Sequence, residues 1–225
     1  MGLIIFDCDG VLVDSEIIAH ALLAQMMTDL GHPMTRAEAV QKFAGRSLVD
    51  TLSLIEATLG RSIPDDLGQR YGRLLLERLR RDLKPIAGVK TAIAALPYPR
   101  CVASSSSLER IRLSLQATGL ASLFGADIFS ATQVTHGKPA PDLYLLAATR
   151  MGVAPEHCVV IEDSALGVTA ARLARMKVIG FNGAAHATAD ATQRLAAAGA
   201  CRVISSMADL PAAVQRSMSQ AETPR

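Results

Sequence analysis

The sequence predicts an α/β fold, in which a parallel β-sheet carries helices on both faces and is interrupted near its start by an all-helical insert. From about residue 100 onward, short apolar runs alternate with segments of helical period, as is typical of a parallel sheet with right-handed crossovers. Between residues 15 and 83, the apolar residues instead follow a helical period throughout, without a convincing strand. A chain of 225 residues is long enough for one larger domain and a small insert.

We therefore predict two domains. Residues 1–14 and 84–225 form an α/β core with a Rossmann-like sheet, and residues 15–83 form a helical domain inserted after the first strand. Helices are predicted at 15–30, 35–43, 47–59 and 64–83 in the insert, and at 108–118, 142–151, 165–173, 188–198 and 207–214 in the core. Strands after the first are predicted at 100–103, 127–130, 158–161, 177–181 and 202–204.

The composition excludes several classes of partner. The formal net charge of +2, from 23 basic and 21 acidic residues, is too balanced to indicate nucleic-acid binding. No apolar run approaches the length of a membrane span, and the N-terminus lacks the basic region of a signal peptide. We expect a monomer with neither nucleic acid nor membrane as partner.

The four cysteines indicate a reducing compartment. Cys8, Cys101, Cys158 and Cys201 are scattered without Cys-x-x-Cys spacing, and three of them lie in or beside predicted strands. Cys8 lies between two aspartates, whose negative charge disfavours a thiolate, so we expect packing rather than nucleophilic chemistry from it. A cytoplasmic protein is the expectation.

The first apolar run, residues 3–6, predicts a buried strand that delivers Asp7 and Asp9 to its carboxyl end. Ligands bind beyond the carboxyl ends of the strands in open parallel sheets. With one residue between them, the two carboxylates project from the same side, which is costly unless a cation or a shared proton relieves it. Solvent-exposed capping acids are the alternative, but the longer string Asp-Cys-Asp-Gly-Val-Leu-Val-Asp-Ser favours a functional site.

A serine run and a restrained lysine follow in the core. Ser104 to Ser107 connect a strand to a helix, where hydroxyls and backbone N–H groups favour a bound phosphate. In Lys-Pro-Ala-Pro-Asp, residues 138–142, two prolines hold Lys138 at a helix entrance, where its charge can balance carboxylates and phosphate. The alternatives are an ordinary helix cap and a solvated loop lysine.

A second pair of acids, Glu162 and Asp163, ends another apolar strand. Oxygen ligands from Asp7 and Asp163, with a backbone carbonyl and waters, make a plausible Mg²⁺ site. Two acid pairs at strand ends, with a serine run and a lysine between them, favour a phosphate-handling site.

These four motifs, in this order, resemble those of the haloacid dehalogenase superfamily of phosphotransferases. The resemblance covers residues 3 to about 183, which is most of the chain. A helical insert directly after the first motif resembles the helical-cap subgroup, which includes β-phosphoglucomutase and phosphoglycolate phosphatase. The resemblance implies an enzyme of this superfamily.

The resemblance also implies roles for individual residues. Asp7 would attack phosphorus and form an aspartyl-phosphate, and Asp9 would protonate the leaving alcohol and later take a proton from water. The implied ligands of Mg²⁺ are Asp7, the backbone carbonyl of Asp9, Asp163 and Glu162, the last either directly or from behind another ligand. The implied phosphate-binding residues are Ser104, Ser105 and Lys138.

In the helical insert, Gly45, Arg46 and Ser47 occupy the position of the substrate-specificity loop of the family. Arg46 could reach a second anionic group on the substrate. A helix-connecting loop with a solvated arginine is the alternative.

The choice between phosphatase and mutase depends on which molecule accepts the phosphoryl group. β-Phosphoglucomutase carries basic or amide residues at positions that match Ala44, Leu48, Ser107 and Leu108 here. Without them a bisphosphate is poorly held, so we predict a Mg²⁺-dependent phosphatase that hydrolyses a small phosphorylated metabolite, a sugar or sugar-acid phosphate. The alternatives are a β-phosphoglucomutase-type transfer between sugar phosphates and, in another class, a non-catalytic protein that binds a phosphometabolite. Dehalogenation needs no metal, so Asp9 and Asp163 argue against it.

Overall fold

The computed structural model of the chain describes residues 2–43, 46, 48–185, 187–188 and 190–219. It contains one six-stranded sheet in which every described pairing is parallel. The strands are β1 (Leu3–Phe6), β2 (Arg100–Ser104), β3 (Ile128–Ser130), β4 (Cys158–Glu162), β5 (Lys177–Phe181) and β6 (Arg202–Ile204). This sheet and its helices confirm the predicted α/β fold class.

The helices follow the predicted order with two differences. The α-helices are α1 (Glu16–Asp29), α2 (Arg36–Phe43), α3 (Leu48–Leu59), α4 (Leu67–Asp82), α5 (Val89–Ala94), α6 (Leu108–Ala117), α7 (Asp142–Arg150), α8 (Ala165–Leu173), α9 (Ala191–Ala197) and α10 (Leu210–Ser219). Short 3₁₀ segments lie at Ala121–Leu123, Ala131–Gln133, Pro155–His157 and Met207–Asp209. Helix α5 was not predicted, and the helix predicted at 207–214 is a 3₁₀ turn followed by the longer α10.

The strand order β3-β2-β1-β4-β5-β6 places β1 in the middle of the sheet. The chain winds outward in one direction from β1 to β3 and in the other from β4 to β6, so the order reverses between β1 and β4. Ligands bind outside the carboxyl ends of the strands at such a reversal. The residues that follow β1 and β4 therefore lie where a ligand is expected to bind.

The sheet is buried on both faces, as parallel sheets require. Leu3 and Ile5 on one face pack in a cluster with Leu143, Tyr144 and Val168 from α7 and α8. Because side chains alternate along a strand, Phe6 lies on the opposite face, and its ring meets that of Phe124 with centroids 5.8 Å apart. Helices α7 and α8 therefore cover β1, and with it the strand end that carries Asp7, on one face, and Phe124, just after the 3₁₀ segment Ala121–Leu123, covers it on the other.

The chain divides into two compact units. One combines Met1–Asp14 with Lys84–Arg225, and the other is Ser15–Leu83. Within the first unit, the departing and returning segments pair with each other: the N–H of Asp14 donates to the carbonyl of Lys84 (3.0 Å), and that of Ile86 donates to the carbonyl of Leu12 (3.0 Å). The chain thus leaves and re-enters this unit at neighbouring points. In the part of the chain that the structure describes, no helix has both the length and the apolarity that crossing a membrane requires.

Candidate active site

Asp7 lies at the carboxyl end of the central strand, directly after β1. Its backbone N–H donates to the carbonyl of Ile161 in β4 (3.0 Å), which extends the pairing of the two strands by one step. The following turn is tight: Gly10 has φ +79°, and its N–H donates to the carbonyl of Val13 (2.8 Å). Glycine adopts this left-handed conformation at little cost, and the turn keeps Asp7 and Asp9 at the end of the sheet.

Lys138 is a buried cation between two carboxylates. Its Nζ donates to Asp7 Oδ1 (2.9 Å) and to Glu162 Oε1 (2.6 Å), and its side chain is only 5% exposed. The peptide bond from Lys138 to Pro139 is cis, and Pro141 precedes the first residue of α7. The sequence prediction that prolines hold this lysine at a helix entrance is consistent with this placement.

Burial and the neighbouring charges shift the pKa values of Asp7 and Lys138. Burial, together with the charges of Glu162, Asp163 and Asp9, raises the pKa of the Asp7 carboxyl well above its usual range, although Lys138 opposes the shift. Burial by itself would lower the pKa of the Lys138 ammonium, but Asp7 and Glu162 outweigh it and hold that pKa well above its ordinary value. Lys138 is therefore charged at neutral pH.

Glu162 is fully buried and accepts four hydrogen bonds. Its Oε1 accepts from Lys138 and from the Tyr144 hydroxyl (3.1 Å), and its Oε2 accepts from the N–H (2.7 Å) and hydroxyl (3.0 Å) of Ser164. A methyl group at Gly167, in the first turn of α8, would overlap this carboxylate. The glutamate is thus fixed on all sides, and a buried carboxylate of this kind is stable only because its oxygens are satisfied.

A metal ion fits the acidic cluster. Asp7, Glu162 and Asp163 offer carboxylate oxygens that all lie within 4.8 Å of one another. Oxygen-only donors suit hard divalent cations such as Mg²⁺. The residues present therefore fit the predicted divalent cation.

Asp9 is held separately from this cluster by two groups from the segment after β2. Arg110 Nη2 donates to Asp9 Oδ1 (2.8 Å), and the Ser106 hydroxyl donates to Asp9 Oδ2 (2.6 Å). Each oxygen of the carboxylate thus has a donor of its own.

The predicted phosphate-binding serines lie at the neighbouring strand end. Ser104 is the last residue of β2 and is buried, and its Oγ accepts from the N–H of Ser106 (3.2 Å). Ser105 is exposed. The Ser107 side chain caps α6 by accepting from the N–H of Arg110 (3.3 Å). The run therefore ends β2 and begins α6, as the sequence predicts.

The predicted specificity residues belong to the helical unit. Arg46 is exposed, and its Nε donates to the carbonyl of Lys42 (3.0 Å), at the end of α2. Gly45 and Ser47 lie outside the described residues. Substrate selection by these three residues stays a prediction.

Sequence reasoning missed Arg110, Ser106 and Tyr144 as functional residues. A signal for Arg110 was present, because side chains on a helix lean toward its N-terminus, and Arg110 is in the first turn after a strand end. Ser106 belonged to a run in which no single hydroxyl stood out. Tyr144 has the position of a core residue in α7 and only the tertiary structure connects its hydroxyl to Glu162.

Comparison with known proteins identifies the family. The sequence model of haloacid dehalogenase-like hydrolases matches residues 1–175. A solved structure from Agrobacterium tumefaciens str. C58, a conserved haloacid dehalogenase-like protein of unknown function, is 43% identical, with a TM-score of 0.87 over 96% of this chain and 98% of that one. The chain belongs to the haloacid dehalogenase-like hydrolases, which confirms the superfamily and the enzyme class inferred from the four motifs.

Two further relatives carry information on ligands. A HAD family hydrolase from Deinococcus radiodurans R1, whose crystal structure contains bound phosphate and sodium, is 30% identical, with a TM-score of 0.82 over 100% of this chain and 99% of that one. The 6-phosphogluconate phosphatase of Escherichia coli (strain K12) is 28% identical over 79% of this chain and 81% of its own length.

Proposed function

We propose that this chain is a Mg²⁺-dependent phosphatase that hydrolyses a small phosphorylated metabolite, a sugar or sugar-acid phosphate, through an aspartyl-phosphate. The observation that carries the proposal is the contact of Asp7, at the end of the central strand, with the buried ammonium of Lys138. A carboxylate beside a fixed cation is placed to attack a phosphoryl group whose charge that cation offsets. The similarity to a 6-phosphogluconate phosphatase supports a sugar-acid or sugar phosphate as substrate.

The chemistry takes place in two displacements. In the first, an Asp7 carboxylate oxygen bonds to phosphorus as the bond to the leaving oxygen breaks, and Asp9 donates a proton to that oxygen. In the second, water bonds to phosphorus and gives its proton to Asp9, and the bond from Asp7 to phosphorus breaks. Phosphate is released, and both aspartates return to their starting forms.

The remaining residues of the site supply charge and position. Lys138, Ser104 and Ser105 bind phosphoryl oxygens, and Glu162 acts indirectly, since its four hydrogen bonds commit it to holding Lys138 and Ser164. Asp7, Asp163 and the backbone carbonyl of Asp9 would hold Mg²⁺, which when bound offsets the charge of the carboxylates and the phosphoryl group. Most of the rate gain would come from this preorganised charge.

Water is the proposed acceptor instead of a second sugar phosphate. By the resemblance, Ser107 and Leu108 match two of the positions at which β-phosphoglucomutase carries basic or amide residues, and here they cap and begin α6. Neither side chain brings a positive charge to hold the second phosphate of a bisphosphate. The four free cysteines fit the cytoplasmic location that we also propose.

The test is phosphate release from a panel of sugar phosphates, sugar-acid phosphates and phosphoglycolate, with Mg²⁺ or with EDTA. We expect hydrolysis that requires Mg²⁺ and that falls to background in Asp7→Asn, because the amide cannot attack phosphorus. Asp65→Asn, at an exposed aspartate of the helical unit, is the matched control and should retain activity. No release from any compound by the folded wild type with Mg²⁺ would refute the proposal.

A further inference from the structure

The geometry points to Arg110 as a positioning residue for Asp9, with Ser106 as its partner. This inference rests on the proposed function, because it concerns the aspartate that we assign as general acid and base. Arg110 and Ser106 together form what we call the Asp9 clamp.

The clamp donates one hydrogen bond to each oxygen of the Asp9 carboxylate. Arg110 donates to Oδ1 at 2.8 Å and Ser106 to Oδ2 at 2.6 Å, distances typical of hydrogen bonds to a charged group. The pair is largely shielded from water, with the Asp9 side chain 16% exposed and that of Arg110 22% exposed. Two donors on different oxygens select one orientation of a side chain that would otherwise rotate about two bonds.

The clamp is itself fixed by the ends of the neighbouring strands and by the cap of α6. The N–H of Ser106 donates to Ser104 Oγ at the end of β2, and the Ser130 hydroxyl at the end of β3 donates to the carbonyl of Ser106 (2.7 Å). The N–H of Arg110 donates to the capping hydroxyl of Ser107. Ser106 is thus held by the ends of β2 and β3, and the backbone of Arg110 is held by the cap of α6, so both donors to Asp9 have fixed positions.

The charges of the site explain why Asp9 needs this support. Lys138 is engaged by Asp7 and Glu162, and Asp9 and Asp7 are near enough that each negative charge disfavours the other. This repulsion favours orientations of the Asp9 side chain away from Asp7, and the two hydrogen bonds of the clamp oppose it. A general acid must lie within hydrogen-bond reach of the leaving oxygen, so losing the orientation lowers the rate of proton transfer.

The inference predicts a dependence on the leaving group. A sugar alkoxide needs a proton to depart, whereas p-nitrophenolate departs as a stable anion and does not depend on Asp9. In Arg110→Ala, kcat/KM for the sugar phosphate that the wild type hydrolyses best should fall by roughly ten- to a hundredfold, a part of what a general acid contributes. With p-nitrophenyl phosphate, kcat/KM should change by less than about threefold. This parameter reports only the steps up to the release of p-nitrophenolate, and that release does not need a proton from Asp9.

Pre-steady-state kinetics give a second readout. The second displacement also needs Asp9, so Arg110→Ala should release a rapid burst of p-nitrophenol, about one per active site, before a slow steady state. Arg112→Ala is the matched control, because Arg112 is an exposed arginine of the same helix, and it should behave as the wild type does. The ratio of kcat/KM for the sugar phosphate to kcat/KM for p-nitrophenyl phosphate should fall in Arg110→Ala. Arg110→Lys, which keeps the positive charge, should restore part of this ratio.

Ser106→Ala tests the clamp independently, in case Arg110→Ala does not fold. It removes the hydrogen bond to Oδ2 and should shift the ratio of the two substrates in the same direction by a smaller factor. The inference is overturned if Ser106→Ala, or a folded Arg110→Ala, loses both substrates equally or matches Arg112→Ala. In those cases the wild type remains a phosphatase, whereas a wild type inactive on both substrates refutes the proposed function and the inference with it.

Discussion

Lys138 carries a buried positive charge on which two buried carboxylates depend. Replacing it in Lys138→Met keeps most of the volume but leaves Asp7 and Glu162 without their shared cation. Breaking a buried ion pair by removing one partner costs about 3 to 5 kcal/mol, because the remaining charge is desolvated and unpaired. We expect the free energy of unfolding to fall by about that amount in urea denaturation with EDTA present.

The matched control is Lys90→Met, at an exposed lysine of α5. A change there should stay within about 0.5 kcal/mol, as is usual for surface substitutions. Equal losses of unfolding free energy in the two variants would show that the charge of Lys138 contributes nothing to stability.

Helix α8 comes unusually close to the site because one of its residues is glycine. On helix propensity alone, Gly167→Ala should stabilise the protein by up to about 1 kcal/mol. The added methyl would overlap the Glu162 carboxylate, so we expect the opposite sign: a loss of about 1 to 3 kcal/mol, as for overpacked cores, with reduced phosphatase activity.

Gly72→Ala in α4 is the control for this effect, because a methyl group there meets nothing within 4 Å. It should stabilise the protein by up to about 1 kcal/mol in the same urea titration. A stabilising Gly167→Ala would mean that Glu162 can move aside without cost.

Elements and site residues were predictable to different degrees, for physical reasons. The sheet was predictable since each strand is a short apolar run with its own turn signals, and Asp7 and Asp163 follow such runs directly. Helix α5 was not, because Val89–Ala94 is too short to show a helical period. Arg110 and Ser106 contact Asp9 across 101 and 97 residues of chain, and no local pattern encodes a contact of that range.

Three of the four cysteines are buried, and their thiol pKa values are raised. Burial, with the charges of Asp9 and Asp7, raises the pKa of Cys8 well above its usual range, and burial raises the pKa of Cys158 to about 12 and that of Cys101 as well. Because the native values lie above the unfolded ones, these thiols stay protonated at about pH 8 and react only after unfolding.

Iodoacetamide labelling followed by mass spectrometry checks this. In the native protein we expect modification of the exposed Cys201, and after denaturation all four cysteines should be modified. Native labelling of Cys8 would contradict the expectation, because it would require a thiolate between two carboxylates.

The pairing of the departing and returning segments near Asp14 and Lys84 has an evolutionary consequence. The two ends of the helical insert lie side by side in the core unit, where the segments around Asp14 and Lys84 are hydrogen-bonded to each other. The distance that an insert must span is therefore short and does not depend on what the insert contains. Closing a longer or shorter loop across that distance changes the entropy only slowly with length. The core unit, which carries the catalytic residues, and the helical insert can therefore diverge independently in sequence and in length.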